Sequence, residues 1–283
     1  MLYWLLPPQS SQVAEYVECY WMIEKTAASQ GEAFPKLNPD AAAHCILTPD
    51  DQIYRYTHNP QTLYGTGSHW LFPHHSTYAL DHSQPFIYIG IKFHIGALYA
   101  LEIPHYTHPS LDQAQQLNDD ASWLDRNALS SLFTLARKHP QQCAEQLDAM
   151  LLPWLSLAKP DRHSQWVRKV LPLLDTMPIT ALGDAVFCSQ RTLERSFSRV
   201  TGLTLKQCQS INKLDAMLEY LYQREASEID WAAVAMKFGF SDQPHLTRYL
   251  KSQLGITPKT YANKRGLTID VYGGVHEMQK AAK

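Results

Sequence analysis

The sequence predicts an α+β chain: a β-barrel or β-sandwich with flanking helices, then an all-α half with two helix-turn-helix units joined by a linker helix. Three observations predict it. Short extended runs, punctuated by Pro, Asn and Asp, fill residues 1–110. From about residue 111 the apolar period lengthens to three or four. In the last third, one pattern occurs twice: an apolar helix, a tight turn, and a capped second helix.

In residues 1–110 the predicted strands are Tyr3–Leu6, His44–Thr48, Gln52–His58, Trp70–Pro73 and Phe86–Phe93. An early helix is predicted over Ser10–Tyr20. The clearest strand alternates Ile87, Ile89, Ile91 and Phe93 on one face with Tyr88, Gly90, Lys92 and His94 on the other. Residues 111–160 then form a helical extension. Leu132, Leu135 and Ala136 lie in one stripe, and Cys143, Leu147, Leu151 and Trp154 in another, with a break at His139-Pro140. Two such amphipathic helices need a partner surface. Either they pack on the β-region, or one face makes a two-fold dimer contact. Lys159-Pro160-Asp161 marks a short linker.

Residues 161–265 carry the two units. In the second, Trp231, Val234, Ala235 and Phe238 make an apolar stripe that Gly239 ends. Ser241 or Asp242 can cap the next helix, with Pro244 in its first turn. Leu246, Tyr249 and Leu250 face inward, leaving Gln243, His245, Thr247 and Arg248 outside. The first unit repeats the plan, with Gly183 as the small residue, Ser189 as the cap, and Leu193 and Phe197 inward. Its outward side chains are Gln190, Arg191, Glu194, Arg195, Ser198 and Arg199. Between the units, residues 205–223 keep a helical period, giving a rod about 28 Å long. One turn of B-DNA spans roughly 34 Å, so one chain could place two reading helices in successive major grooves. Residues 266–283 read as a loose tail.

The segment from Pro178 to Tyr261 resembles the DNA-binding domain of the AraC/XylS family of transcription regulators. Ala235, the Phe238-Gly239-Phe240-Ser241-Asp242-Gln243 run, His245, Arg248 and the Gly255-Ile256-Thr257-Pro258 run carry the resemblance. Four positions depart from it. Phe187 stands where the first turn usually has glycine, Asn212 where the linker helix usually has arginine, and Leu246 and Leu250 where phenylalanines are usual. The resemblance implies a cupin-like effector domain in front and a promoter as partner. It also implies contact with RNA polymerase, and activation as the commoner outcome. It assigns Arg191, Glu194, Arg195, Gln243, His245 and Arg248 to base-facing positions. Arginine pairs with guanine, glutamine with adenine, and glutamate with cytosine N4. Ser189, Arg199, Thr247, Lys206 and Lys259 complete the expected DNA surface, the two lysines as phosphate contacts.

Composition agrees. From Asp161 onward the chain holds 17 basic and 12 acidic residues, a net +5, against −7 before it. A basic C-terminal half suits a polyanion. The five cysteines are scattered without paired spacing, which predicts free thiols in a reducing cytoplasm and argues against zinc. No run of eighteen apolar residues exists, so no membrane helix is expected, and the start does not read as a signal peptide.

Ten of thirteen histidines precede residue 140, yet no His-x-His of a cupin metal site occurs. His105 and His108 sit between Pro104 and Pro109, which suggests a loop. Neither metal nor cofactor is expected. No hydrolase, phosphate-loop or dinucleotide motif is present, so no enzyme is expected. The aromatic wealth of the first domain predicts an effector pocket, with Tyr54, Tyr56, Trp70, Tyr88, Lys92 and His94 as candidates. Two alternatives stand beside a ligand-controlled regulator. One is a regulator whose first domain makes only protein contacts, including a homodimer. The other is a cupin-type metabolite enzyme with an appended DNA-binding tail.

Overall fold

In the computed structural model, residues 2–29, 31–58, 60–101, 103, 110–117, 123–124 and 128–272 are described. Their first part is two antiparallel sheets. One contains β1 (Leu2–Leu6), β2 (Val17–Lys25), β9 (Phe86–Phe93), β4 (His44–Leu47), β7 (His69–Leu71) and β10 (Ala114–Gln116), in that spatial order. The other runs β3 (Lys36–Leu37), β8 (Tyr78–Leu80), β5 (Ile53–His58), β6 (Gln61–Thr66).

The predicted helix over Ser10–Tyr20 is not there. Only a 3-10 turn at Val13–Glu15 forms before β2 begins. The reason is the ladder. β2 lies between β1 and β9 and pairs with both, so its backbone groups are used on both edges. Its side chains are apolar on both faces: Tyr20 and Met22 enter one core, Cys19, Trp21 and Ile23 the other. A strand buried on both sides carries no helical stripe. The sheet also reaches past residue 110, because β10 pairs with β7.

Alternation on β9 sorts the domain. Ile87, Ile89, Ile91 and Phe93 face α1 (Leu129–Lys138) and α2 (Pro140–Leu155), whose Leu132, Ala136, Leu147 and Leu151 are fully buried against them. Side-chain bonds lock this layer. The Trp4 indole donates to the Ala136 carbonyl at 2.8 Å, and the buried Asp148 carboxylate accepts from Tyr20 Oη and from the amides of Gln9 and Ser10. The helices thus pack on the sheet. Tyr88 and Lys92 face the second sheet instead.

The C-terminal part is helical: α3 (Arg162–Val170), α4 (Leu182–Ala185), α5 (Gln190–Thr201), α6 (Leu205–Tyr222), α7 (Trp231–Lys237), α8 (Gln243–Leu254), α9 (Pro258–Lys264) and α10 (Thr268–Tyr272). The rod α6 serves both units. Leu205, Cys208 and Ile211 fill the first unit's core with Leu193 and Phe197, and Leu214, Met217, Leu218 and Leu221 fill the second with Leu246 and Leu250. Its start is a full capping box between Thr204 and Gln207.

The tail is ordered as far as Tyr272, against expectation. Leu267 is fully buried in the second core, Asp270 accepts from Tyr261 Oη at 3.0 Å, and the Lys36 amide donates to the Gly266 carbonyl at 2.8 Å. Thirteen residues after the last helix-turn-helix element, one leucine side chain plugs a core and holds the segment. The rest of the predicted tail, 273–283, lies outside the described residues, as do His105 and His108.

The two parts meet along a seam. Thr77 Oγ1 donates to the Gln253 carbonyl at 2.6 Å, Lys36 Nζ to the Leu254 carbonyl at 3.2 Å, and Asn38 Nδ2 to Asp215 Oδ1 at 2.7 Å. On the first unit, Arg199 lies over the Tyr99 ring, and Ala41 enters that unit's core.

Candidate nucleic-acid interface and the adjoining cavity

In the first unit, α4 and α5 cross closely at Gly183. A Cβ there would stand 2.8 Å from the Gln190 amide nitrogen and 2.9 Å from the Cys188 carbonyl oxygen. Phe187 takes the left-handed turn position with φ 58° and is almost fully exposed. It occupies the glycine place at a steric cost and without packing compensation. Ser189 caps α5 by accepting from the Thr192 amide at 3.2 Å. Arg191, Glu194, Arg195 and Arg199 are exposed along α5, and Lys206 is exposed in the first turn of α6. Gln190 differs from them. It is half-buried, accepts from the Gly183 amide at 3.2 Å and donates to Glu194 Oε1 at 2.9 Å, so it braces the turn.

The second unit follows the same geometry. Gly239 has φ 68°, and Asp242, of the two possible caps, accepts from the His245 amide at 2.7 Å. Gln243, His245 and Arg248 are exposed, while Thr247 is half-buried and donates to the Gln243 carbonyl at 2.9 Å. Tyr249 turns toward the rod, donating to the Ser210 carbonyl at 2.6 Å. Lys259 is exposed in the first turn of α9. Leu246 and Leu250 are buried, so leucine keeps the core at both positions. Asn212 bonds Asp175 at 3.1 and 3.2 Å, tying the rod to the loop before the first unit where arginine is usual.

Between the β-domain and α6 lies a cavity of about 470 Å³. Of the six residues expected there, Tyr56, Tyr88 and Lys92 line it. Three stand elsewhere. Trp70 is on the opposite face of its sheet, buried near Phe93 and Trp154, because its neighbour Leu71 takes the cavity side. Tyr54 stacks on His69 with ring centroids 3.6 Å apart. His94 lies past the end of β9, its Nε2 bonded to the Ala14 carbonyl. Sequence reasoning missed Trp21, Asp40 and His74 from the β-domain and Asp215 and Glu219 from α6. Asp40 reads as a turn residue in sequence. Asp215 and Glu219 form an i, i+4 acidic pair on a rod, which is ordinarily a solvated face.

The cavity is electrostatically ordered. The Trp21 indole donates to His44 Nδ1 at 3.1 Å, so His44 Nε2 carries the proton and donates to Asp40 Oδ2 at 3.0 Å. Burial alone would raise the Asp40 pKa, but Lys92 and His44 hold it well below the carboxylate range. Burial works against the charge on Lys92, and Asp40 with Glu18 more than offsets it, keeping that amine protonated. Enclosure and then the negative charge of Asp40 push the Asp215 carboxyl well up. Asp215 is accessible along the cavity, yet protein surrounds it. Among the described residues no group of three His, Cys, Asp or Glu side chains could hold a metal ion, and no helix is long and apolar enough to cross a membrane.

Comparison with known proteins agrees with this geometry. Residues 182–264 match a family described as a helix-turn-helix domain. Over 88 residues, 31% of this chain, the sequence is 34% identical to the HTH-type transcriptional activator RhaS of Escherichia coli O139:H28 (strain E24377A / ETEC). That stretch spans 30% of the relative's length. The fold is similar to that of ToxT from Vibrio cholerae, with a TM-score of 0.50, 10% identity, and coverage of 88% of this chain and 98% of that one. Residues 182–264 are thus a helix-turn-helix domain similar in sequence to part of that activator, and the chain as a whole shares its fold with ToxT.

Proposed function

We propose that this protein activates transcription by binding promoter DNA with α5 and α8 in successive major grooves, under the control of a small molecule held in the cavity beside α6. One observation carries the reading. The rod that fills the cores of both units also forms a wall of the cavity. A ligand there touches the element that sets the spacing of the two reading helices, and so can favour one arrangement over another. Arg191, Glu194 and Arg195 from α5 and Gln243, His245 and Arg248 from α8 read bases. Arg199, Lys206 and Lys259, with Ser189 and Thr247, position the backbone. Activation follows the relative named an activator, and RNA polymerase is the partner that the family resemblance implies. The protein works in the cytoplasm, in keeping with its five free thiols, and acts as a regulator with no turnover of its own.

The test is in vitro selection of operator DNA by the full chain, followed by footprinting. Two protected segments one helical turn apart are expected. Arg195→Ala should weaken the protection over one segment and Arg248→Ala over the other. A footprint confined to one segment and insensitive to one of the two variants would overturn the two-groove reading.

A further inference from the structure

The cavity beside α6 has a chemical preference that deepens the effector reading above and rests on it. Its enclosed basic side chain, Lys92, is already engaged. Lys92 Nζ lies 3.0 Å from Glu18 Oε1 and 4.0 Å from Asp40 Oδ2, so its charge is already balanced by two carboxylates. Arg55 is exposed and makes no ion pair among the described residues, so it stays in water rather than in the enclosed part of the wall. Asp215 is in the opposite position. It receives one neutral hydrogen bond, from Asn38, and has no basic side chain within ion-pair distance among the described residues. Glu219, one turn further along α6, lines the same wall.

A second, independent feature points the same way. His74 is completely buried and borders the cavity. Its Nδ1 lies 2.9 Å from the Ser76 carbonyl oxygen. A carbonyl only accepts, so Nδ1 holds the proton and Nε2 is a bare lone pair. That Nε2 has no hydrogen-bond partner. A buried acceptor left unpaired costs about 1–3 kcal/mol, which a donor on a ligand would recover. Trp21, Tyr56 and Tyr88 add aromatic rings to the wall. Ring faces attract cations. On this side of the cavity the two groups open to a ligand are the Asp215 carboxyl, which enclosure holds protonated while no cation is present, and the His74 lone pair.

We propose that the cavity binds a small organic cation, an ammonium or guanidinium group on an apolar skeleton, with Asp215 as its counter-charge and His74 Nε2 as a hydrogen-bond acceptor. The volume, about 470 Å³, suits a ligand of this size. A desolvated cation needs a paired and hydrogen-bonded anion. Asp215 supplies it from the rod common to both DNA-reading units by giving up its proton to water as the cation enters, so the cation grips the DNA-binding half directly.

The test uses the full chain and matched probes: 2-phenylethylammonium, 3-phenylpropanoate and 2-phenylethanol, and the corresponding ammonium, carboxylate and alcohol on hexyl and cyclohexylethyl skeletons. Binding is read by calorimetry. At least one ammonium should bind tenfold or more tightly than its matched carboxylate and alcohol. Asp215→Asn, and Asp215→Ser as a second variant, should weaken that ammonium about tenfold. Ala216→Trp, which puts an indole on the cavity wall, should abolish it; circular dichroism checks that each variant is folded. If a carboxylate or alcohol binds as well as its ammonium, or the Asp215 variants bind it unchanged, the charge assignment is overturned. The effector reading then stands so long as Ala216→Trp removes the binding. Binding that survives Ala216→Trp, or no binding by any probe, overturns both.

Discussion

Gly90→Ala is the sharpest test of how the cavity is built. Gly90 sits at the centre of β9, paired with Trp21 on one side and Ile46 on the other. The Trp21 ring lies across it. A Cβ at residue 90 would fall 1.9, 2.2 and 2.4 Å from Trp21 Cε2, Cζ2 and Nε1. Contact distance is about 3.5 Å, so the ring must move by more than 1 Å. That breaks the indole bond to His44, 3.1 Å long, which orients the His44 donor toward Asp40. Overpacking costs about 1–3 kcal/mol and the lost bond about 0.5–1.5. Replacing a strand glycine returns about 0.5–1. The net expectation is a loss of about 1–3 kcal/mol in urea unfolding followed by circular dichroism. A double-mutant cycle isolates the cause. In a Trp21→Ala background, Gly90→Ala should be neutral or stabilising, giving a coupling of about 1 kcal/mol or more. Equal losses with and without the Trp21 ring would refute the steric argument.

Other outcomes follow from the same geometry. Arg248→Ala should weaken operator binding by roughly 1–3 kcal/mol in a titration at fixed salt, and an unchanged affinity would remove Arg248 from the interface. Gly183→Ala brings a Cβ within 3.0 Å of three backbone atoms of residues 188 and 190, so the first unit must splay. About 2 kcal/mol of stability should go, and with it the footprint of that unit. Phe187→Gly relieves a left-handed backbone worth about 1–2 kcal/mol and gives back part of it as chain entropy. A gain of about 0.5–1 kcal/mol in denaturant unfolding is expected. Burial holds the His69 imidazole down to about 4, against an ordinary value near 6.5. The unfolded chain binds a proton in that window and the folded chain does not. Stability is therefore full above pH 6.5 and falls toward pH 4, by up to about 1.4 kcal/mol per unit. His69→Gln should flatten that slope, and an identical slope would exclude His69 as its source.

Much of the helical half was legible from sequence. The helix period, the caps at Ser189 and Asp242 and the glycine turn at 239 act within a few residues of themselves. Helix signals are local, so they survive without knowledge of the rest of the chain. β9 was legible for the same reason, since strict alternation marks a strand whatever it pairs with. β2 was not. Its apolar residues serve two cores, which blurs both periods, and only its two neighbours make it a strand. Half of the expected pocket residues were misplaced for a related reason. An aromatic residue looks the same in sequence whether it faces a cavity, as Tyr88 does, or a helix layer, as Trp70 does.

The sequence alone determined that this chain would carry two capped reading helices on one rod, with their basic side chains outward, because those features depend on neighbours three or four positions away. Only the tertiary structure decided that Asp215 of the rod would come to face Asn38, Asp40 and His74 across a shared cavity, and that Leu267 would pin the tail. Contacts between residues more than a hundred positions apart leave no periodic trace. They exist only once burial of two sheets and two helical cores has fixed which surfaces meet.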